Sequence, residues 1–342
     1  MKDMDSAVLP ETGDMSAKDW MRVLAKYRQP NMTRSIFEVF VTFAPFVGLW
    51  VLAWWTTFYS LWLTAGVCLV AGGFLVRLFM LQHDCGHGSL FSNKLANDWV
   101  GRVIGVFTLT PYDVWRRSHS IHHGASGNLE KRGTGDIHTM TVEEYRASST
   151  MGKIMYRLYR HPITLFFIGP IYVFGFENRL PFGYFKDGIK YWISAMGTNA
   201  GIVAVSAILI YFMGFKAFAF VFCLSTFFAA AMGIWLFYVQ HQFEETHWDQ
   251  PEDWDVHDAA LYGSSHYVLP GPLRWMTGNI GVHHVHHLYA RIPFYRLSEV
   301  IKDHPVLAEM KRLTLWESFS CVNLHLWDEK SRRMVRFAEA RI

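Results

Sequence analysis

Three short stretches of the chain concentrate histidine. "HDCGH" holds His83 and His87, "HSIHH" holds His119, His122 and His123, and "HHVHH" holds His283, His284, His286 and His287. Neutral imidazole is the commonest protein ligand for a metal ion. Spacings of three and four residues put side chains on one face of a helix, so each stretch presents two or three rings to a common point. His284 falls about 100° around the helix from His283 and reads as an extra. His241, in "FYVQHQFEE", is a ninth candidate. A structural zinc site takes four ligands; eight or nine imidazoles suit two metal ions with open positions. Imidazole fits iron, copper, nickel or zinc, so spacing alone leaves the metal open. The remaining histidines, among them His138, His161, His247, His257, His266, His304 and His325, read as ordinary core or surface residues.

Those rings must be carried by a chain with few charges. It has 342 residues, 51% hydrophobic and 16% aromatic, with only 18% charged. Soluble domains carry about a quarter charged residues, so the composition points to a membrane protein. Four scattered cysteines without a CxxC pair argue against a disulfide framework and against a zinc ribbon. Residues 1–32 contain no apolar signal-peptide core and read as a polar, disordered tail.

Four apolar runs, 36–60, 61–82, 195–214 and 215–240, are each long enough for a transmembrane helix. They pair into two hairpins. Lys18, Arg22, Lys26, Arg28 and Arg34 precede the first run, and Arg102, Arg116, Arg117, Lys131 and Arg132 follow the second. The positive-inside rule then makes those ends, and both termini, cytoplasmic. The apolar stretch 162–176 spans only roughly 22 Å as a helix. A full crossing there would put the last histidines on the wrong side, so it reads as half-inserted or interfacial. The fold class expected is all-α: one membrane domain over 33–342, four transmembrane helices in two hairpins, and a cytoplasmic helical cap (83–194 and 241–342) holding a dimetal site. All nine candidate ligands then share one side of the bilayer.

The order H-x3-H, H-x2-HH, H-x2-HH interleaved with two hydrophobic hairpins resembles the integral-membrane fatty acid desaturase family. The likeness is to its bacterial acyl-lipid Δ12-type branch. "QHDCGHGSLF", "TPYDVWRRSHSIHHGASGNLEKRGTGDIHT", "YVQHQFEETHW", "TGNIGVHHVHHLYARIPFYRL" and "LWDEKSRRMVRF" carry it. The resemblance implies a non-haem diiron centre with His83, His87, His119, His122, His123, His241, His283, His286 and His287 as ligands. The animal acyl-CoA branch places an asparagine four residues before its isolated ligand histidine, and here Phe237 stands there.

The implied reaction removes two hydrogens from a saturated stretch of a membrane-lipid acyl chain, at Δ12, with O2 as co-substrate. Two electrons come from a separate carrier, ferredoxin or a cytochrome, since no electron-transfer motif is present; no nucleic-acid partner is expected. The implied location is the bacterial inner membrane. Asp84, Asp113, Asp136, Glu244, Glu245 and Asn279 lie in or beside the boxes and are candidates to orient ligand rings, with Asn279 equally a helix cap. Trp115, Tyr112, Trp275 and Phe294 are candidates to line an acyl slot. The basic residues around "WRRSH" suit an acidic carrier or anionic lipid headgroups. The alternative reading is a diiron hydroxylase or ketolase acting on a lipid or carotenoid.

Overall fold

The structure, a computed structural model, describes residues 15–133 and 135–340. The first part of the expected polar tail, residues 1–14, lies outside them. The rest of that tail is folded. Ser16 accepts from the Asp19 N–H and caps α1 (Ala17–Leu24). Trp20 and Leu24, four residues apart on one helix face, are buried against the cap. Tyr27 follows and donates to Asp303 at 2.6 Å.

The four apolar runs are helices: α2 (Met32–Thr56), α3 (Leu61–His87) and, later, a second pair. A helix satisfies its own backbone, which is what apolar surroundings require. Ile36, Phe40 and Val51 of α2 face outward, as a lipid-facing surface would. After α3 the chain forms α4 (Lys94–Phe107) and α5 (Tyr112–Ala125), a two-residue strand β1 (Met140–Thr141), α6 (Val142–Ala147) and α7 (Thr150–Tyr159).

The short apolar stretch then makes a π-turn over Thr164–Ile168 and α8 (Gly169–Gly175), packed on α10 and exposing Phe167, Ile171 and Tyr172. The second pair is α9 (Ile189–Met213) and α10 (Phe215–His241). α9 begins six residues before the expected start at 195, because Ile189 and Ile193 continue its apolar face. The ends of α3 and α10 meet through their histidines (below), so the chain makes no net crossing between them.

α3 and α10 form the central seam, with α2 against α3. Glycine makes the approach close: a Cβ on Gly72 would lie 2.9 Å from Phe228 Cβ and 3.1 Å from Ser225 O. Near the histidine end, Arg77 of α3 is fully buried and bonds to Glu38, to Thr42 Oγ1 at 3.1 Å and to the Trp275 carbonyl.

The cap also includes α11 (Val256–Tyr262), β2 (His266–Val268), α12 (Gly271–Met276), α13 (His283–Leu288), α14 (Leu297–Asp303), α15 (Pro305–Glu309), α16 (Leu315–Ser318) and three further strands, β3 (Arg312–Thr314), β4 (Leu326–Asp328) and β5 (Arg333–Val335). These strands were not expected. β1 pairs parallel with β4, β4 antiparallel with β5, and β2 parallel with β3. Each is two or three residues long, too short for an alternating pattern to show in sequence.

Candidate metal centre

Four helices deliver the nine histidines. His87 ends α3 with His83 one turn before it, and His241 ends α10. α5 supplies His119, His122 and His123, and the six-residue α13 supplies His283, His286 and His287. Gly281 lets α13 come close: its carbonyl accepts from the Tyr267 N–H at 2.7 Å, and a Cβ there would lie 2.2 Å from Tyr267 O. No other residue fits between β2 and the third box.

The rings gather in two groups. His83, His87, His119, His123 and His286 form one; His122, His241, His283 and His287 form the other. Neighbours His122 and His123 thus serve different groups, and the i, i+4 pair His119 and His123 serves one. In the first group, His119 Nε2 lies 3.0 Å from His83 Nε2, 3.0 Å from His87 Nε2 and 3.1 Å from His123 Nε2. His123 Nε2 is 3.2 Å from His286 Nε2. In the second, His241 Nε2 is 3.2 Å from His122 Nε2 and 3.0 Å from His283 Nε2.

Hydrogen bonding does not account for this packing. A neutral ring nitrogen either donates one proton or offers one lone pair, so His119 Nε2 cannot serve three like neighbours. Converging lone pairs fit a central cation instead. With bonds of roughly 2.0–2.1 Å to imidazole, two ligands at a right angle lie about 3.0 Å apart, close to the spacings observed. His287 Nε2 is buried with no hydrogen-bond partner among the described residues, as expected of a ligand atom whose bond is to an ion. The residues fit two metal ions, one with five imidazoles and one with four.

Burial keeps the rings in ligand form. Desolvation, reinforced by neighbouring imidazoles, holds His119, His122, His123, His283, His286 and His287 well below the usual histidine range. They are neutral at pH 7, the state that metal binding needs. His284 stays out of both groups and bonds through Nε2 to the Leu307 carbonyl at 2.9 Å. Phe237, at the position where the animal branch has asparagine, offers no donor atom and packs 5.1 Å from the His122 and His241 rings.

The candidate orienting residues separate sharply. Asp84 sets Oδ1 3.5 Å from His83 Nδ1 while Oδ2 accepts from the Phe294 N–H at 2.7 Å. Asp136, raised to about 6 by burial, lines a small polar cavity with His122 and His241. Asp113 is drawn instead to Arg102 and Lys190, Glu244 to Arg333 and Glu245 to Lys311; none of these three carboxylates is spare for a ring. Asn279 caps no helix. It sits at φ +54 and donates to the Phe294 carbonyl at 3.3 Å. We expect Asp84→Asn, which keeps the shape, to weaken metal binding about 10–100-fold, read by metal competition with a chelator; unchanged affinity would remove Asp84 from this role.

A cavity of about 290 Å³ runs from His83, His119 and His283 down between α3 and α10. Phe79, Ala229, Ala230, Gly233 and Phe237 make its apolar wall. Of the four aromatics expected there, only Trp115 lines it. Tyr112 is buried and donates to the Cys85 carbonyl, Trp275 covers Arg77, and Phe294 lies in the core. Aromatic type alone did not distinguish packing from lining.

Sequence reasoning missed three groups. Gln82, beside His83, accepts from Thr108 at 2.5 Å and donates to the Thr110 carbonyl at 3.0 Å, pinning two cavity residues. Gln240, beside His241, donates to the Ile280 carbonyl at 3.0 Å. Arg160, fully buried, donates to Gln242 Oε1 at 2.7 Å and the Leu324 carbonyl at 2.9 Å. A polar residue directly before a box histidine was the available signal for the two glutamines; Arg160 had none.

The sequence model of the fatty acid desaturase family matches residues 60–319. A protein of Bacillus subtilis (strain 168) named fatty acid desaturase is 42% identical over 322 residues, covering 94% of this chain and 90% of that protein. An sn-1 acyl-lipid omega-3 desaturase (ferredoxin) of Synechocystis is 27% identical over 312 residues, with 85% and 81% covered. An sn-1 oleoyl-lipid 12-desaturase of the same organism is 27% identical over 236 residues, with 66% and 64% covered.

Proposed function

Because the chain belongs to the fatty acid desaturase family, we propose that it introduces a cis double bond at Δ12 of a membrane-lipid acyl chain, using two non-haem irons and electrons from ferredoxin. The carrying observation is the five-plus-four arrangement of imidazoles at the head of an apolar cavity. Two bound irons would supply the oxidant: with O2, two electrons and two protons, two adjacent methylenes lose one hydrogen each and two waters form.

The chain's own residues do the rest. The nine histidines hold the ions: His83, His87, His119, His123 and His286 at one, His122, His241, His283 and His287 at the other. Imidazole suits iron and leaves no soft thiolate to be oxidised in its place. Phe79, Trp115 and Phe237 exclude water and present an apolar chain to the rings. Entry from the bilayer keeps that chain out of water, where each exposed CH₂ costs roughly 0.8 kcal/mol.

The orientation proposed keeps the histidine end and both termini in the cytoplasm, on the positive-inside rule. Ferredoxin as donor is supported by the named donor of the cyanobacterial relatives. Arg117 and Lys131 are exposed on this face. Arg116 and Arg132, by contrast, are paired with Asp98 and Glu144.

The test is expression with a ferredoxin reductase system in cells making only saturated and Δ9-monounsaturated chains, with double bonds located by mass spectrometry. A diene with its new bond at Δ12 is expected, and about two irons per purified chain. The omega-3 relatives name the competing outcome: a bond nearer the methyl end would replace the Δ12 assignment. An added oxygen in place of a double bond would mean a hydroxylase.

A further inference from the structure

Part of the cap reaches down beside the membrane spans. Trp275 of α12 packs 5.9 Å from Phe74, and Phe319, directly after α16, packs 5.5 Å from Trp235. Along their helices Phe74 lies about 14 Å from His83 and Trp235 about 9 Å from His241. Both contacts therefore sit alongside apolar stretches of the spans, and Leu273, Trp316 and Phe319 point outward there, with Trp316 80% exposed. Exposed tryptophan at that depth is the mark of a membrane–water interface. Two arginines stand in the same patch. Arg312 of β3 pairs with His266 of β2, and Arg274 lies on α12 between Leu273 and Trp275. Both are exposed, and both charges act on the His266 ring, which burial first and then Arg312 and Arg274 hold below the usual histidine range. Among the described residues neither arginine has an ion-pair partner. Glu317 accepts from Thr314, Glu245 pairs with Lys311, and Glu309 faces His266 without bridging to either.

We propose that this patch binds the headgroup phosphate of an anionic phospholipid through Arg274 and Arg312, with Leu273, Trp316 and Phe319 set into the acyl boundary beneath it. Charge and depth together choose the occupant. Two unpaired cations beside outward apolar side chains match a headgroup above its own acyl chains, whereas a soluble acidic protein would leave the aromatics in water. The grip also has a mechanical consequence, because β2 lies between Arg312 and the third histidine box. His266 bridges to Val282, the residue before His283, and the Tyr267 N–H donates to the Gly281 carbonyl. A held headgroup therefore fixes the strand against which that box leans. The inference needs only the four spans in a bilayer and does not rest on the acyl-desaturase reading.

The test titrates dioleoyl phosphatidylglycerol or dioleoyl phosphatidylcholine into the purified full-length protein and reads thermal stabilisation, which needs no turnover. Wild type is expected to prefer phosphatidylglycerol. The double variant Arg274→Gln, Arg312→Gln should raise its half-saturating concentration by about 25-fold, roughly fivefold for each arginine. Lys330→Gln, which removes an exposed cation on the β4–β5 turn, should leave it unshifted. Arg274→Gln alone, on an exposed helix, decides should the change in β3 prevent folding. Depth is read by fluorescence: the emission that Trp316→Phe removes in ordinary vesicles should already be quenched in vesicles of brominated phosphatidylcholine. Equal preference for the two lipids in wild type, an unshifted titration in the arginine variants, or Trp316 emission unaffected by bromine overturns the inference. Stabilisation matched by free glycerol phosphate would mean a site for a soluble anion and overturns it as well.

Discussion

Alanine at any of the nine clustered histidines is expected to lower desaturation by more than about 10³-fold, because ligands to a two-ion centre act as a unit and their losses are not additive. The protein should still insert and purify as a monodisperse species. Metal content distinguishes the groups. His87→Ala should deplete the five-ring group first and His241→Ala the four-ring group, since no ring belongs to both. His122→Ala and His123→Ala, adjacent in sequence, should therefore deplete different ions. His284 is the internal control. It is buried and hydrogen-bonded to Leu307, so His284→Ala should cost stability, about 1–3 kcal/mol, while both ions stay bound. Loss of metal from His284→Ala, or retention of full activity in any of the nine, would refute the assignment.

Arg77→Met is expected to be the most damaging change outside the histidines, at about 3–5 kcal/mol. It leaves Glu38, itself fully buried, with only the half-exposed Arg34 at 2.7 Å. It also removes the guanidinium 3.8 Å above the Trp275 ring and its bond to the Trp275 carbonyl. α12 leads through Asn279 directly to the third histidine box, so activity should fall together with thermal stability. The double variant Arg77→Met, Glu38→Leu should recover most of the stability, because a buried ion pair is costly to break yet contributes little against an apolar replacement. Melting in detergent, with and without the second change, checks this. A double variant as unstable as the single one would mean that Arg77 acts through α12 and not through Glu38.

The arrangement separates three jobs by physical environment. α3 and α10 carry clustered histidines at one end and cavity wall along their length. The polar network of Gln82, Thr108 and Thr110 stiffens the cavity rim through bonds among themselves and not to the histidine rings. Among the described residues Arg160 has only neutral acceptors, so its charge is held by geometry alone and ties the residue after His241 to the chain near β4.

What the sequence determined by itself was whatever depends on local spacing and on transfer to lipid. Long apolar runs leave no alternative to helices in hydrocarbon, so the four spans and their pairing were legible. A spacing of three or four residues fixes which histidines share a helix face, so the eight box rings that cluster and the separation of His284 from them were legible; His241 stands alone in the sequence, and only the resemblance pointed to it. Tertiary structure alone decided how those rings are divided: α5 and α13 each send rings to both groups, while the α3 histidines join only the five-ring group and His241 of α10 only the four-ring group. It also decided that Asp84 stays near a ring while Asp113, Glu244 and Glu245 are claimed by Arg102, Arg333 and Lys311, and that a helix around Trp20 folds onto the cap. Partners distant in the chain set each of these outcomes, and residue spacing carries no record of them.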